Sequence, residues 1–317
     1  MTQAAIALLT GRAPPFMAPG VVVGLVAPPL AEIVRTWVVP VSVAMVVLAV
    51  TRVDPLRLLD ALRRPAHALA VCTVVLVVAP AATAAATLAL GAPGWLATGL
   101  ALAAAAPPLS SAAACAILVK IDAALVTAVS LPATPLAPPT VWGVTSALAE
   151  VMPGLGAGIA VTELSLRLGA VILGAFALAF ALRRLAGPGR MARLAGPVDA
   201  AIVVLVTLIG VGVMHDVGLA LRADPGGWAV IFAATWALSL PSCALAVALF
   251  WPAGRDRALA AGLAAAVKNM AVMVAAVLGA VEDRIALVVV TAQLPIYVAP
   301  LILRPAFARL SRARGPA

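Results

Sequence analysis

Residues 66–91 carry no Asp, Glu, Lys or Arg and no polar stripe at helical spacing, and comparable stretches recur along the chain. A helix that is apolar on every side belongs in a bilayer or among other membrane helices. Hydrophobic residues make up 64% of the chain and charged residues 10%, with a mean hydropathy of +1.16. Soluble domains run at about 45–50% apolar and about 25% charged. The pattern predicts an all-α polytopic protein of the cell inner (plasma) membrane, with the lipid bilayer as its main partner. The net charge of +9 does not point to nucleic acid. The arginines sit in short clusters between apolar runs, with no basic stripe and no nucleic-acid-reading motif.

Cys72, Cys115 and Cys243 lie inside apolar segments without CxxC spacing. They are read as small buried hydrophobes, with no disulfide, no metal and no cofactor expected. The N-terminus lacks a charged region followed by an apolar core and a cleavage site, so no cleaved leader is expected.

With about 20 residues as the ruler for a span, ten are expected. They fall near 16–31, 36–52, 66–91, 95–119, 122–147, 162–186, 198–216, 226–251, 255–280 and 284–309. Between the second and third, Pro55 to Arg64 reads as a short interfacial amphipathic helix, with Leu56, Leu59 and Leu62 on its apolar side. Placing both termini in the cytoplasm puts 16 of the 21 Lys and Arg residues on that side, as the positive-inside rule requires. Arg35, Arg167, Arg222 and Arg284 fall outside, and Lys268 lies within a span.

Five spans per half force the second half to enter the membrane from the opposite side, the inverted repeat common among secondary transporters. Repeat one covers 16–147 and repeat two 162–309. Span four begins around Gly99-Leu100, crosses alanines and reaches Asp122 and Ser130-Leu131-Pro132. Span nine begins around Gly262-Leu263, crosses alanines and reaches Asp283 and Gln293-Leu294-Pro295.

Two interruptions stand at matching depth. Pro107-Pro108 falls in the middle of span four, where a continuous helix would cost about 3 kcal/mol or more; Ser110 and Ser111 follow and can satisfy the freed carbonyls. Alone, the proline pair is read as a packed kink. Lys268-Asn269 falls in the middle of span nine. A lysine at mid-helix costs on the order of 2.5–3.5 kcal/mol on insertion scales, and Lys268 lies roughly 20 Å along the helix from Arg255, too deep to snorkel. No acidic residue is expected beside it. Together the two interruptions mark two broken, crossing helices and the expected substrate site.

These residues carry a resemblance. The stretch from Leu100 through Pro107-Pro108, Lys120-Ile121-Asp122 and Ala124-Leu125 to Ala137-Pro138 resembles the first crossover of the bile acid:sodium symporter family. Ala264 to Ala271 resembles its second crossover, and Val171-Ile172-Leu173-Gly174 with Arg183-Arg184 its sixth helix. The resemblance runs from about 66 to 310, with no motif exact. It implies a panel (16–52 and 162–216) and a core (66–147 and 226–309), with spans four and nine unwound and crossing at mid-membrane, and an organic anion carried with sodium.

The departures fall on the family's sodium ligands. Pro107-Pro108-Leu109 stands for a Pro-Gly-Gly turn, Ala112-Ala113 for a Ser-Asn pair, Ala264 for a glutamate and Lys268 for a glutamine, while Asn269 is kept. Val75, ahead of Pro80, replaces another glutamine; Ser130 stands for a threonine ligand. Sodium prefers hard oxygen ligands and a neutralising carboxylate, so the resemblance with these losses implies transport without sodium. Lys268 would act as a fixed cation, bracing the crossover through backbone carbonyls and attracting an anionic substrate; in a second form of the reading it also carries a proton. The polar candidates for the site are Ser110, Ser111, Ser130, Thr134, Lys268, Asn269 and Gln293, and they suit a small carboxylate-bearing molecule, from sterol acid to keto or hydroxy acid.

Alternatives stay open: a facilitator or exporter on the same plan, a sodium-coupled symporter with degenerate sites, or a transport-inactive membrane sensor or scaffold, which the rigid Pro107-Pro108 favours. An enzyme is not expected, because HExxH, GxSxG and paired-aspartate motifs are missing. Gly154, Gly156 and Gly158 follow no strand and make no nucleotide loop. Gly20 and Gly24 form a GxxxG read as close helix packing, His215-Asp216 a solvated helix end, and Glu150 and Glu163 helix caps.

Overall fold

The computed structural model describes residues 13–52, 65–108, 115–116, 119–151 and 160–312. The interfacial helix expected at 55–64, the glycines at 154–158, and Ser110, Ser111, Ala112 and Ala113 lie outside the described residues. Among those described, the structure is helical, and its β-type pairing is one isolated antiparallel bridge between Pro108 and Lys268.

In chain order the helices are α1 (Ala13–Val26), α2 (Pro28–Arg35), α3 (Val38–Thr51), α4 (Pro65–Thr73), a π-helical turn (Val74–Val78), α5 (Ala79–Ala89) and α6 (Gly94–Ala105). They continue with α7 (Ala123–Val151), α8 (Val161–Ala223), α9 (Pro225–Phe250), α10 (Arg255–Ala266), α11 (Met270–Val277), α12 (Asp283–Thr291) and α13 (Gln293–Arg312). Among the described residues, five helices are long and apolar enough to cross a membrane. The number is up to six if the pair α2 and α3, bent by 66°, forms one span. α8 is 63 residues long, but Gly187 at φ 73° and ψ 161° breaks it ahead of Pro188 into arms 161–186 and 188–223. Only glycine takes that backbone readily, and proline suits the start of a helical arm.

The apolar residues divide between two environments. Leu164, Leu168 and Ile172 of α8 are fully buried, whereas Leu166, Leu173 and Phe180 of the same helix are 69%, 62% and 65% exposed. A soluble protein does not display large side chains so freely along a helix; in a bilayer these faces meet lipid.

α8 is the scaffold against which α1, α2 and α3 pack. A Cβ on Gly20 would lie 2.7 Å from the Thr207 carbonyl oxygen, and one on Gly24 2.6 Å from Cβ of Met214. The GxxxG therefore packs α1 onto α8 within the chain. Two ion pairs close the two ends of this assembly. Arg35 Nε lies 2.7 Å from Asp216 Oδ1 and 3.0 Å from Oδ2, and Arg52 Nε lies 2.6 Å from Asp199 Oδ1. Arg35 precedes Arg52 by 17 residues, and Asp199 precedes Asp216 by the same interval, so one antiparallel register serves both pairs.

Asp216 is not merely a solvated helix end: it is three-quarters buried and held by Arg35. Glu163 does not cap α8, whose N-cap is Ala160 with no side-chain bond; its carboxylate takes Arg167 one turn on, at 2.6 Å. Glu150 sits in the last turn of α7, at the wrong end of that helix to cap it.

Candidate functional site at the paired helix breaks

α6 ends because of its sequence. A residue that precedes proline is pushed out of the helical region, and Ala106, before Pro107, has φ −56° and ψ 138°. The chain is broken here, not kinked as the prolines alone would suggest. α10 ends in the same way without a proline: Val267 is extended at φ −107° and ψ 93°. Asn269, at φ −82° and ψ 75°, then turns the chain tightly, with the Met270 N–H donating to the Lys268 carbonyl at 3.0 Å. These angles are those of an inverse γ-turn.

The two extended pieces meet. The Asn269 N–H donates to the Pro107 carbonyl at 2.7 Å, and Pro108 sits opposite Lys268 in the bridge. From Pro107 this contact needs only a carbonyl, the one backbone group proline retains. The break in α10 is braced from α9, where the Ser239 hydroxyl donates to the Ala266 carbonyl at 3.3 Å.

Lys268 is 7% exposed, and its Nζ donates to the Val75 carbonyl at 3.2 Å. That carbonyl is available for a local reason. In the π-helical turn the Ala79 N–H donates to the Val74 carbonyl, five residues back. One step further in that register, the donor to Val75 would be residue 80, which is proline and has no N–H. Among the described residues no Asp or Glu is fully buried, and the hydrogen bond of the ammonium goes to a backbone oxygen, not a carboxylate.

Of the residues expected in the site, Pro107, Pro108, Lys268 and Asn269 are brought together and buried. Ser130 and Thr134 are buried on successive turns of α7, with the Thr134 hydroxyl 3.4 Å from the Ser130 carbonyl. The Ser130 hydroxyl has no hydrogen-bond partner among the described residues. Gln293 opens α13 and is buried. Lys268 Nζ binds Val75 rather than any of these side chains. Beside the bridge, Ala103, Ala104, Ser239, Ser242, Lys268 and Met270 line a cleft of about 20 Å³. That volume holds roughly one water molecule and is too small for a carboxylate-bearing molecule.

Two contributors were not among the expected site residues in these roles. The sequence marks Val75 only as a lost side-chain ligand, whereas its carbonyl makes the contact. Ser239 is the second, and its signal in the sequence is that Ser239-Leu240-Pro241 repeats the Ser130-Leu131-Pro132 triplet.

The long apolar helices, the exposed apolar faces and the buried cation at a helix break define an all-α multi-pass membrane protein. No protein-family model matches the chain, and no curated protein matches it.

Proposed function

We propose that the chain is a secondary transporter of a small organic anion that works without sodium, with Lys268 as the fixed cation of its binding region. The observation that carries this reading is a buried ammonium at the meeting of two broken helices, held by a backbone carbonyl. Intramembrane ionisable groups mark substrate or ion pathways, and irregular backbone at membrane depth is stable only where it is buried in protein or lines a cavity.

The ten-span, two-repeat plan of the bile acid:sodium symporter family belongs to this proposal. A constant interval supports it. Pro80 and Pro241, the first residues of α6 and α10, Pro107 and Lys268, and Asp122 and Asp283 are each 161 residues apart. The break at Gly187, flanked by Arg183, Arg184, Arg190 and Arg193, fits two spans joined on the cytoplasmic side. On this plan the panel carries the two ion pairs and the core carries the crossing. Position 107 in the first repeat is a proline and its counterpart 268 is a lysine, so only one crossing is charged.

The chemistry follows from the charge. The ammonium repels sodium and attracts a carboxylate, and in the proton-linked form it loses its proton as the anion leaves. The cleft beside it must widen to admit a substrate, as alternating access requires. Purified protein in proteoliposomes, offered radiolabelled cholate, pyruvate or lactate, is expected to accumulate at least one of them at the same rate in sodium and choline media. Uptake driven by a sodium gradient would falsify the proposal; failure to move any anion under either gradient would favour the sensor or scaffold. Thermal unfolding in sodium chloride against choline chloride at equal ionic strength is expected to give the same midpoint, because a sodium site would stabilise the native state by RT ln(1 + [L]/Kd).

A further inference from the structure

The chain contains only two lysines, Lys120 and Lys268. Lys268 is the one that is buried, and it spends its hydrogen bond on a carbonyl that an ordinary helix would not offer. In an α-helix, Val75 would accept from residue 79. Here Ala79 is drawn back to Val74 by the π-helical turn, and the next donor position is occupied by Pro80. Two separate features, the turn and the proline, are both needed to leave the Val75 oxygen open. Neither alone suffices, because an N–H at position 80 would close the π register onto Val75.

We propose that the π-helical turn at Val74–Val78 together with Pro80 is a backbone cradle for the Lys268 ammonium, and that Pro80 is a positioning residue acting through the Val75 carbonyl. The cradle explains how a cation can sit at a helix crossing with no carboxylate beside it among the described residues: a peptide oxygen freed of its helical partner supplies the negative end of a dipole. It also ties the second broken helix to the α4–α5 segment, so that the crossing and the π turn form one unit. Pro241, at the matching position of α9, has no lysine above it, since position 107 is proline. The cradle therefore serves one crossing only. The inference rests on Lys268 being the fixed cation proposed above, but its test involves no transport, so the two can fail separately.

The test uses Lys120→Arg as background, which leaves Lys268 as the sole lysine. Full-length protein labelled with ζ-¹⁵N lysine, in nanodiscs, should then give one side-chain ammonium resonance. Pro80→Ala restores an N–H aimed at Val75, and the expected result is a shifted resonance whose hydrogens exchange with water roughly tenfold faster or more, the factor that one hydrogen bond to a charged group represents. Pro241→Ala, the control for general softening of a membrane helix, is expected to leave the resonance unchanged. Alanine suits a helix at both positions, so both variants should fold, which their thermal midpoints will report. An unchanged resonance in Pro80→Ala overturns the proposal, as does an equal change in both variants.

Discussion

A lysine in the interior of a membrane protein is held by a balance that substitution can separate. Burying the ammonium of Lys268 costs about 2.5–3.5 kcal/mol on insertion scales, while its hydrogen bond to the Val75 carbonyl returns about 1.5–3 kcal/mol. The two nearly cancel. Lys268→Met, which keeps the stem and removes the charge, is therefore expected to unfold within about 1 kcal/mol of the unchanged protein while losing anion uptake. Lys268→Ala also empties a packed site and is expected to lose about 2–5 kcal/mol. Thermal unfolding paired with liposome uptake distinguishes the two effects, and a Met variant that transports at the full rate would remove Lys268 from the mechanism. The lysine itself was legible in the sequence because a cation breaks an otherwise apolar run. Its partner was not, because a backbone oxygen leaves no mark in the residue types, and Val75 is one valine among many.

At the scale of the elements, small residues set how closely helices approach. Gly24 faces the Val211 carbonyl and Met214 of α8, so Gly24→Ala presses a methyl group into filled space and is expected to destabilise by about 1–3 kcal/mol. Gly143 of α7 has open space where its Cβ would be, and Gly143→Ala is expected to stabilise by about 0.5–1 kcal/mol through its better helix propensity. Unfolding of the two variants side by side checks both signs; equal loss from both would mean that the α1–α8 contact is not close. The helix break at Pro107 could be anticipated from proline chemistry. The second break was legible only through Lys268-Asn269, the interruption at matching depth, since Ala266 and Val267 just ahead of it carry no helix-breaking residue of their own. The ion pair of Asp216 is hidden from the sequence for a related reason: Arg35 is 181 residues away, and no local pattern joins them.

For the whole molecule, composition alone made the all-α membrane class legible, because 64% hydrophobic residues cannot be hidden in a soluble body of this length. The span boundaries were less so, since alanine-rich stretches give no edge. The two ion pairs supply that edge. Asp199 and Asp216 lie on one continuous arm of α8, and 17 residues at 1.5 Å each set them about 25 Å apart. Charged pairs hold to the rim of the hydrocarbon, so this arm measures out a thin apolar slab, a few ångströms short of the roughly 30 Å of an average bilayer. Hydrophobic mismatch should then be felt from one side only. In nanodiscs graded by acyl-chain length, the melting temperature is expected to peak with short-chain lipids and to fall as the chains lengthen, until tilting of α8 or local thinning of the membrane takes up the difference.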